Sequence, residues 1–206
     1  MKVAIIGAGN VGKALAGSIT RAGHDVTVSA STPESATAAA EATGAAAAPS
    51  NRAAVADADV VIFAVPYAGV SEQVASEIRD VAAGRVVIDA MNPIKPDYSG
   101  LATGDRSGAE ALQAQLPDAR VVKAFNTIFA SNQADPRPEI DGYVAGDDAK
   151  AKATVISLVE SLGFSPVDVG PLASARHLEG MAWLNIGFNM ATNGSWTTAW
   201  RLDREG

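Results

Sequence analysis

Lys2-Val3-Ala4-Ile5-Ile6-Gly7-Ala8-Gly9-Asn10-Val11-Gly12 reads as a buried strand that passes directly into a glycine-rich turn and then a helix. The spacing Gly7-x-Gly9-x-x-Gly12 fits the dinucleotide-binding fingerprint. Gly7 makes the tight turn, Gly9 lets a pyrophosphate approach the backbone, and Gly12 lets the helix pack close on the strand. The helix from Lys13 to Ala22 aims its free N–H groups and positive dipole end at the phosphate site. A turn that merely joins strand to helix would use the same glycines, but a strand before it and a helix after it favour a nucleotide.

Outward from this stretch the alternation continues. His24 to Ala30 is a second strand, and Thr32-Pro33-Glu34 opens a helix with Thr32 as N-cap. Ala45 to Ala48 is a short third strand and Asn51 to Ala56 a short helix. Asp59 to Pro66 is continuous in apolar residues, as buried parallel strands are. Gly69 to Val81 has helical spacing, Arg85 to Asp89 is a strand, and Ile94 to Ser107 is a long loop. Ser107 to Leu116 is helical, Arg120 to Phe125 a strand and Ser131 to Pro138 turn-like. Gly142 to Gly146, Asp148 to Leu162 and Ser165 to Val169 then read as strand, helix and strand. The fold class is α/β, a doubly wound parallel sheet (Rossmann NAD(P)-binding fold) with a small C-terminal helical extension. The nucleotide domain is expected over residues 1–146. A C-terminal region over 147–206 holds a helix, a short strand and an apolar helix for dimerisation.

Composition narrows the function. The 206 residues are 48% hydrophobic, enough for one α/β domain with a modest appendage. With no cysteine and two histidines, His24 and His177, no metal centre is expected. A net charge of −7 argues against nucleic acid and anionic membrane as partners. Cleavage of a signal peptide after Met1-Lys2 would destroy the phosphate loop, so the expected location is cytoplasmic. From Gly180 to Trp200 the chain carries no charge, yet Asn185, Asn189 and Asn193 interrupt it too often for a membrane span. Trp183, Leu184, Ile186, Phe188 and Met190 there suggest a helix partly buried and partly a homodimer interface.

The second-strand tip, Ser29-Ala30-Ser31-Thr32, has neither the acid that binds a ribose diol nor an arginine. Its hydroxyls and the next helix's amides suit a 2′-phosphate, which favours NADP over NAD, although Glu34 acts against it. Beyond the strand ends lie Val65-Pro66-Tyr67, Asn92-Pro93 and Asn126-Thr127-Ile128. Val65 and Pro66 offer an apolar floor for a nicotinamide, and Asn92 a partner for its carboxamide. Pro66 and Pro93 also simply end strands. No acid–base pair stands out, so no catalytic residue is assigned. Tyr67 and Lys123 are the available proton donors, but Tyr67 reads as a half-buried aromatic and Lys123 as a snorkelling strand residue. His24 and His177 read as structural. The chain looks built to position a cofactor.

In these segments the chain resembles the NADPH-dependent reductases of the deazaflavin coenzyme F420. The resemblance is carried by Gly7 to Lys13, Ala22-Gly23-His24-Asp25-Val26, Val65-Pro66-Tyr67, Gly146-Asp147-Asp148 and Gly170-Pro171-Leu172-Ala173-Ser174-Ala175-Arg176-His177-Leu178-Glu179. It implies a dimeric dinucleotide-binding protein with the NADP phosphates on Gly9, Asn10, Val11 and Gly12. The 2′-phosphate would sit at Ser29, Ser31 and Thr32, where family members commonly have serine followed by arginine. Val65, Pro66, Tyr67, Asn92 and Pro93 would surround the nicotinamide and the deazaflavin. Hydride passes directly between such rings, which suits the missing acid–base pair. The acidic deazaflavin tail calls for a basic patch from Lys95, Arg106 or Lys123. Related sequences also form a domain of metal reductases, so a small-molecule redox acceptor is implied more firmly than its identity. Two alternatives remain: a small imine or ketone reductase, disfavoured by the short C-terminal region, and a non-catalytic NADP sensor.

Overall fold

The computed structural model describes residues 1–203. Strand β1 (Lys2–Ile6) leads into helix α1 (Asn10–Arg21), and β2 (Asp25–Ser29) into α2 (Pro33–Thr43). The alternation continues through β3 (Ala46–Ala47), α3 (Asn51–Ala56), β4 (Val60–Phe63), α4 (Ser71–Ile78), β5 (Val86–Asp89), α5 (Gly108–Gln115) and β6 (Arg120–Lys123). Next come α6 (Ala130–Ala134), β7 (Asp141–Gly146), α7 (Ala149–Ser161), β8 (Ser165–Asp168) and α8 (Ala175–Thr192). Local chemistry starts several of these helices. Thr32 accepts from the Ser35 N–H ahead of Pro33, Ser50 accepts from Ala53, and Asp148 accepts from Lys150 and Ala151. Ser107 and Glu110 close a reciprocal capping box on α5.

The eight strands form one sheet in the order β3-β2-β1-β4-β5-β6-β7-β8. Successive residues of each strand point to opposite faces, and both faces are covered. Val3, Ile5, Val60, Ile62 and Val122 pack towards Leu15, Ile19, Val155 and Leu158 of α1 and α7. Ala4, Ile6, Val61, Phe63 and Val87 pack towards Val55, Ile78 and Leu112 of α3, α4 and α5. The order reverses at β1, which has β2 on one side and β4 on the other. Such a switch point opens a crevice beyond the carboxyl ends of the strands.

Two expectations need correction. The sheet is mostly, not wholly, parallel: β7 runs antiparallel to β6, and β8 follows β7. Between β6 and β7 the only helix is the short α6, which packs on α1. It does not carry the chain back across the sheet as a parallel crossover must. The second correction is α6 itself, where the turn-like composition of Ser131 to Pro138 conceals a helix. Its polar Asn132 and Gln133 are buried and bond to backbone carbonyls, Asn132 to Thr197 and Gln133 to Phe125 and Ile128.

The uncharged tail splits by polarity in an unusual sense. On α8 the asparagines turn inward, Asn185 at 7% and Asn189 at 1% exposure, while Leu184, Phe188 and Met190 are 52–62% exposed. Asn189 holds the returning chain: its Oδ1 accepts from Trp196 N at 3.0 Å and its Nδ2 donates to Thr198 Oγ1 at 2.7 Å. Trp200 Nε1 then donates to the Met181 carbonyl. Among the described residues no helix is long and apolar enough to cross a membrane.

Candidate functional site

The glycine turn sits at the switch point, and its three glycines meet different constraints. Gly7 has φ +116°, and a β-carbon there would lie 2.3 Å from the Ala64 carbonyl oxygen. A β-carbon on Gly12 would lie 1.8 Å from the Gly7 carbonyl oxygen, so close helix–strand approach demands glycine. Gly9 faces open space and is exposed. It is the N-cap of α1, with no side-chain cap and no acidic residue in the first turn. The first-turn N–H groups are therefore left for an outside acceptor, which fits a dinucleotide pyrophosphate.

Two cavities flank this turn. The first, about 750 Å³, is bounded by Gly7, Gly9, Ser31, Asn51, Val65, Pro66 and Glu77. At the second-strand tip only part of the expected hydroxyl cluster faces it. Ser29 is fully buried and donates to Asn51 Oδ1 at 2.8 Å, and Asn51 Nδ2 donates to Glu77 Oε2 at 2.9 Å. Thr32 caps α2, while Ser31 is exposed on the cavity wall beside Ser35 and Ser50. Ser29 therefore shapes the floor through Asn51, and Ser31 is the hydroxyl presented. Sequence reading missed Glu77 and Asn51, because α3 and α4 bring them to the tip only in three dimensions.

The second cavity, about 630 Å³, is walled by Asn10, Val11, Asn92, Asn126, Phe129 and Ile186, among others. Asn92 is held in place on this wall by Asn126, with one N–H and one lone pair of its amide left over. Its Nδ2 donates to the Asn126 carbonyl at 2.9 Å, and its Oδ1 accepts from Asn126 Nδ2 at 3.0 Å. Pro93 is buried behind it. Tyr67 is placed apart, in a smaller recess with Met91 and Gly108. Burial, reinforced by the nearby charges of Glu179 and Asp89, pushes its phenol above the ordinary range, so it stays protonated.

Beneath the cavities lies an ionic cluster with a different role for Lys123 than expected. Lys123 does not snorkel; it is fully buried. Its Nζ donates to Asp89 Oδ2 at 3.0 Å, to the Met91 carbonyl at 2.7 Å and to Glu179 Oε1 at 3.0 Å. Asp89 Oδ1 accepts from Met91 N, and Glu179 accepts from Gly108 N. With all three ammonium protons committed, Lys123 is no part of a basic patch for an acidic ligand, whereas Lys95 and Arg106 are exposed. Burial raises the Glu179 carboxyl, against the opposing pull of Lys123. One signal was legible: Asp89 and Lys123 are register partners on adjacent strands. Glu179 arrives from α8 and had no such signal. Among the described residues no cluster of His, Asp or Glu is arranged to hold a metal.

The chain is similar to several known proteins. The fold superposes with TM-score 0.89 on a candidate F420-dependent NADP reductase from Arthrobacter sp. FB24, at 26% identity over 99% of this chain and 100% of that one. It also matches hypothetical protein SMa0349 of Sinorhizobium meliloti, at 35% identity and TM-score 0.75 over 84% of this chain and 87% of that one. Metalloreductase STEAP3 of Rattus norvegicus is 33% identical over 183 residues, 86% of this chain and 36% of that protein. The chain thus spans about a third of that metalloreductase's length. Residues 2–93, which build the turn, the first cavity and the start of the second, match the family described as NADP oxidoreductase, coenzyme F420-dependent. By that match over residues 2–93 and by its fold, the chain is similar to the F420-dependent NADP oxidoreductase family.

Proposed function

We propose that this oxidoreductase moves hydride between NADPH and a deazaflavin (coenzyme F420) or flavin-like acceptor. The observation that carries the reading is the pair of roomy cavities at the glycine turn, Gly7 and Gly9 lining one and Asn10 and Val11 the other. Gly9, Asn10, Val11 and Gly12 would hold the pyrophosphate on the first-turn amides of α1, and Ser31 the 2′-phosphate. Val65 and Pro66 would support the nicotinamide, and NADPH when bound supplies the hydride. The chain's own work is to hold two rings face to face and keep water from between them. That work needs no proton shuttle, in keeping with a protonated Tyr67 and a fully committed Lys123. We further propose that residues 1–146 act as the nucleotide domain, and that 147–206 carry a homodimer contact through Leu184, Phe188 and Met190.

A panel of acceptors tests the reading: F420, FMN, a ferric chelate and a cyclic imine, each with NADPH and with NADH. Fast NADPH oxidation with F420 or FMN is the expected result. Oxidation only by the imine would replace it with the imine-reductase reading, and binding without turnover by a sensor. A second reading, reduction of a metal chelate, is favoured by the metalloreductase match. Preferred turnover of the chelate would support it.

A further inference from the structure

We propose that Asn126 and Gln133 form a pair of hydrogen-bond acceptors that reads an amide or imide N–H on the redox ring bound in the second cavity. The proposal rests on the two-ring reading above and goes beyond it by naming the ring edge and the atoms that recognise it. Asn126 is 5% exposed and Gln133 1%, and both line the cavity. Asn126 Nδ2 donates to Asn92 Oδ1 at 3.0 Å and to the Leu178 carbonyl at 3.1 Å. Turning the amide over would set its oxygen against the Leu178 carbonyl, so the orientation is fixed by chemistry. Gln133 is fixed in the same way, its Nε2 donating to the Phe125 and Ile128 carbonyls at 3.1 and 2.9 Å. Asn126 Oδ1 and Gln133 Oε1 are then buried acceptors with no partner among the described residues.

A buried acceptor without a donor is costly, so two beside one cavity mark a place where something else supplies the N–H. The backbone points the same way. Phe125, immediately before Asn126, is buried with φ +66°, a left-handed conformation that bulky residues avoid. Gln133 holds its carbonyl there. The rest of the wall includes Val11, Ile94, Phe129 and Ile186, apolar surface suited to a flat conjugated ring. Among the described residues none lining this cavity is a lysine or arginine, so the pair reads a neutral donor rather than a phosphate or carboxylate. Two rings carry such an edge: a flavin or deazaflavin through its imide, and the nicotinamide through its carboxamide, were that edge to reach past Val65 and Pro66 into this cavity.

The two sources separate by ligand chemistry on the unmodified protein. Affinities are measured by calorimetric titration for NADPH against its 3-acetylpyridine analogue, which keeps the carbonyl and lacks the N–H. The same is done for FMN against N3-methyl FMN. A ring that brings the N–H pairs an acceptor that is otherwise left unpaired, and an analogue without it does not, so one analogue should bind at least about tenfold more weakly than its parent. A loss with the acetyl analogue assigns the nicotinamide, and a loss with the methylated flavin assigns the acceptor ring. In Asn126→Ala, and separately in Gln133→Met, that discrimination should fall towards unity, with thermal melting to confirm folding. Equal binding of both analogues and their parents to the wild-type protein would overturn this proposal and leave the hydride-transfer reading standing. So would discrimination that persists in both variants. Failure of NADPH and FMN themselves to bind would overturn both.

Discussion

Gly12 and Gly9 occupy one motif but answer to different forces, and substitution should separate them. Gly12→Ala forces a methyl into the Gly7 carbonyl and should cost about 1–3 kcal/mol of stability, read from urea midpoints. Gly9→Val meets open space in the protein alone, so stability should change by less than about 1 kcal/mol, the scale of an N-cap change. NADPH binding should nevertheless weaken by at least about 2 kcal/mol, as on loss of one or two charge-assisted hydrogen bonds. Unchanged affinity in a calorimetric titration would remove the turn from the site. At the adenosine end, Ser31→Arg should raise the preference for NADPH over NADH roughly tenfold by gripping a phosphate. Ser29→Asp, by contrast, places a carboxylate at a fully buried position near Glu77, and should show as lost stability rather than switched preference.

At the scale of elements, the Asp89–Lys123–Glu179 cluster ties β5, β6 and α8 together and reaches the first residue of α5 through Gly108. It also grips Met91 at both its N–H and its carbonyl, which sets the chain that delivers Asn92 to the second cavity. Lys123→Met leaves two buried carboxylates without their cation and should cost about 3–5 kcal/mol. Its pH dependence has a definite sign. The Glu179 carboxyl is raised above its ordinary 4.5 by burial, so the folded chain holds that proton more tightly than the unfolded chain. Its contribution is fully present below 4.5 and is lost as pH rises through the elevated folded value. Without Lys123 that loss should grow, so the stability deficit of Lys123→Met should be larger at pH 8 than at pH 5. Denaturant titrations at the two pH values check this, and adding Glu179→Gln should recover part of the deficit at pH 8.

For the whole molecule, Leu184 and Phe188, one turn apart on α8, and Met190 on another side of it, leave much apolar surface exposed on one helix. A two-fold contact would bury it against its own copy, with aromatic and methionine side chains at the centre. Light scattering at micromolar concentration should report a dimer, and Phe188→Asp a monomer or an insoluble chain. A wild-type monomer with full turnover would end the dimer proposal. The buried asparagines of α8 are already satisfied by the returning segment and by each other, so they offer such a contact little.

Much was legible in the chain itself wherever the governing force is local. The glycine spacing, the cap at Thr32 and the apolar runs of β1 and β4 report backbone conformation, hydrogen bonding and burial within a few residues. They sufficed to place the turn, the switch point and the wound sheet. The direction of β7 and the helix α6 were not legible, because both depend on where distant partners stand. The same is true of the site's polar detail. Asn51 meets Ser29 and Glu77, Asn126 meets Asn92, and Lys123 meets Glu179 across 22 to 56 residues of chain. A side chain's charge and hydrogen-bonding capacity are written in the sequence. Whether a group is exposed, neutralised or left waiting for a partner is decided by the elements that fold against it.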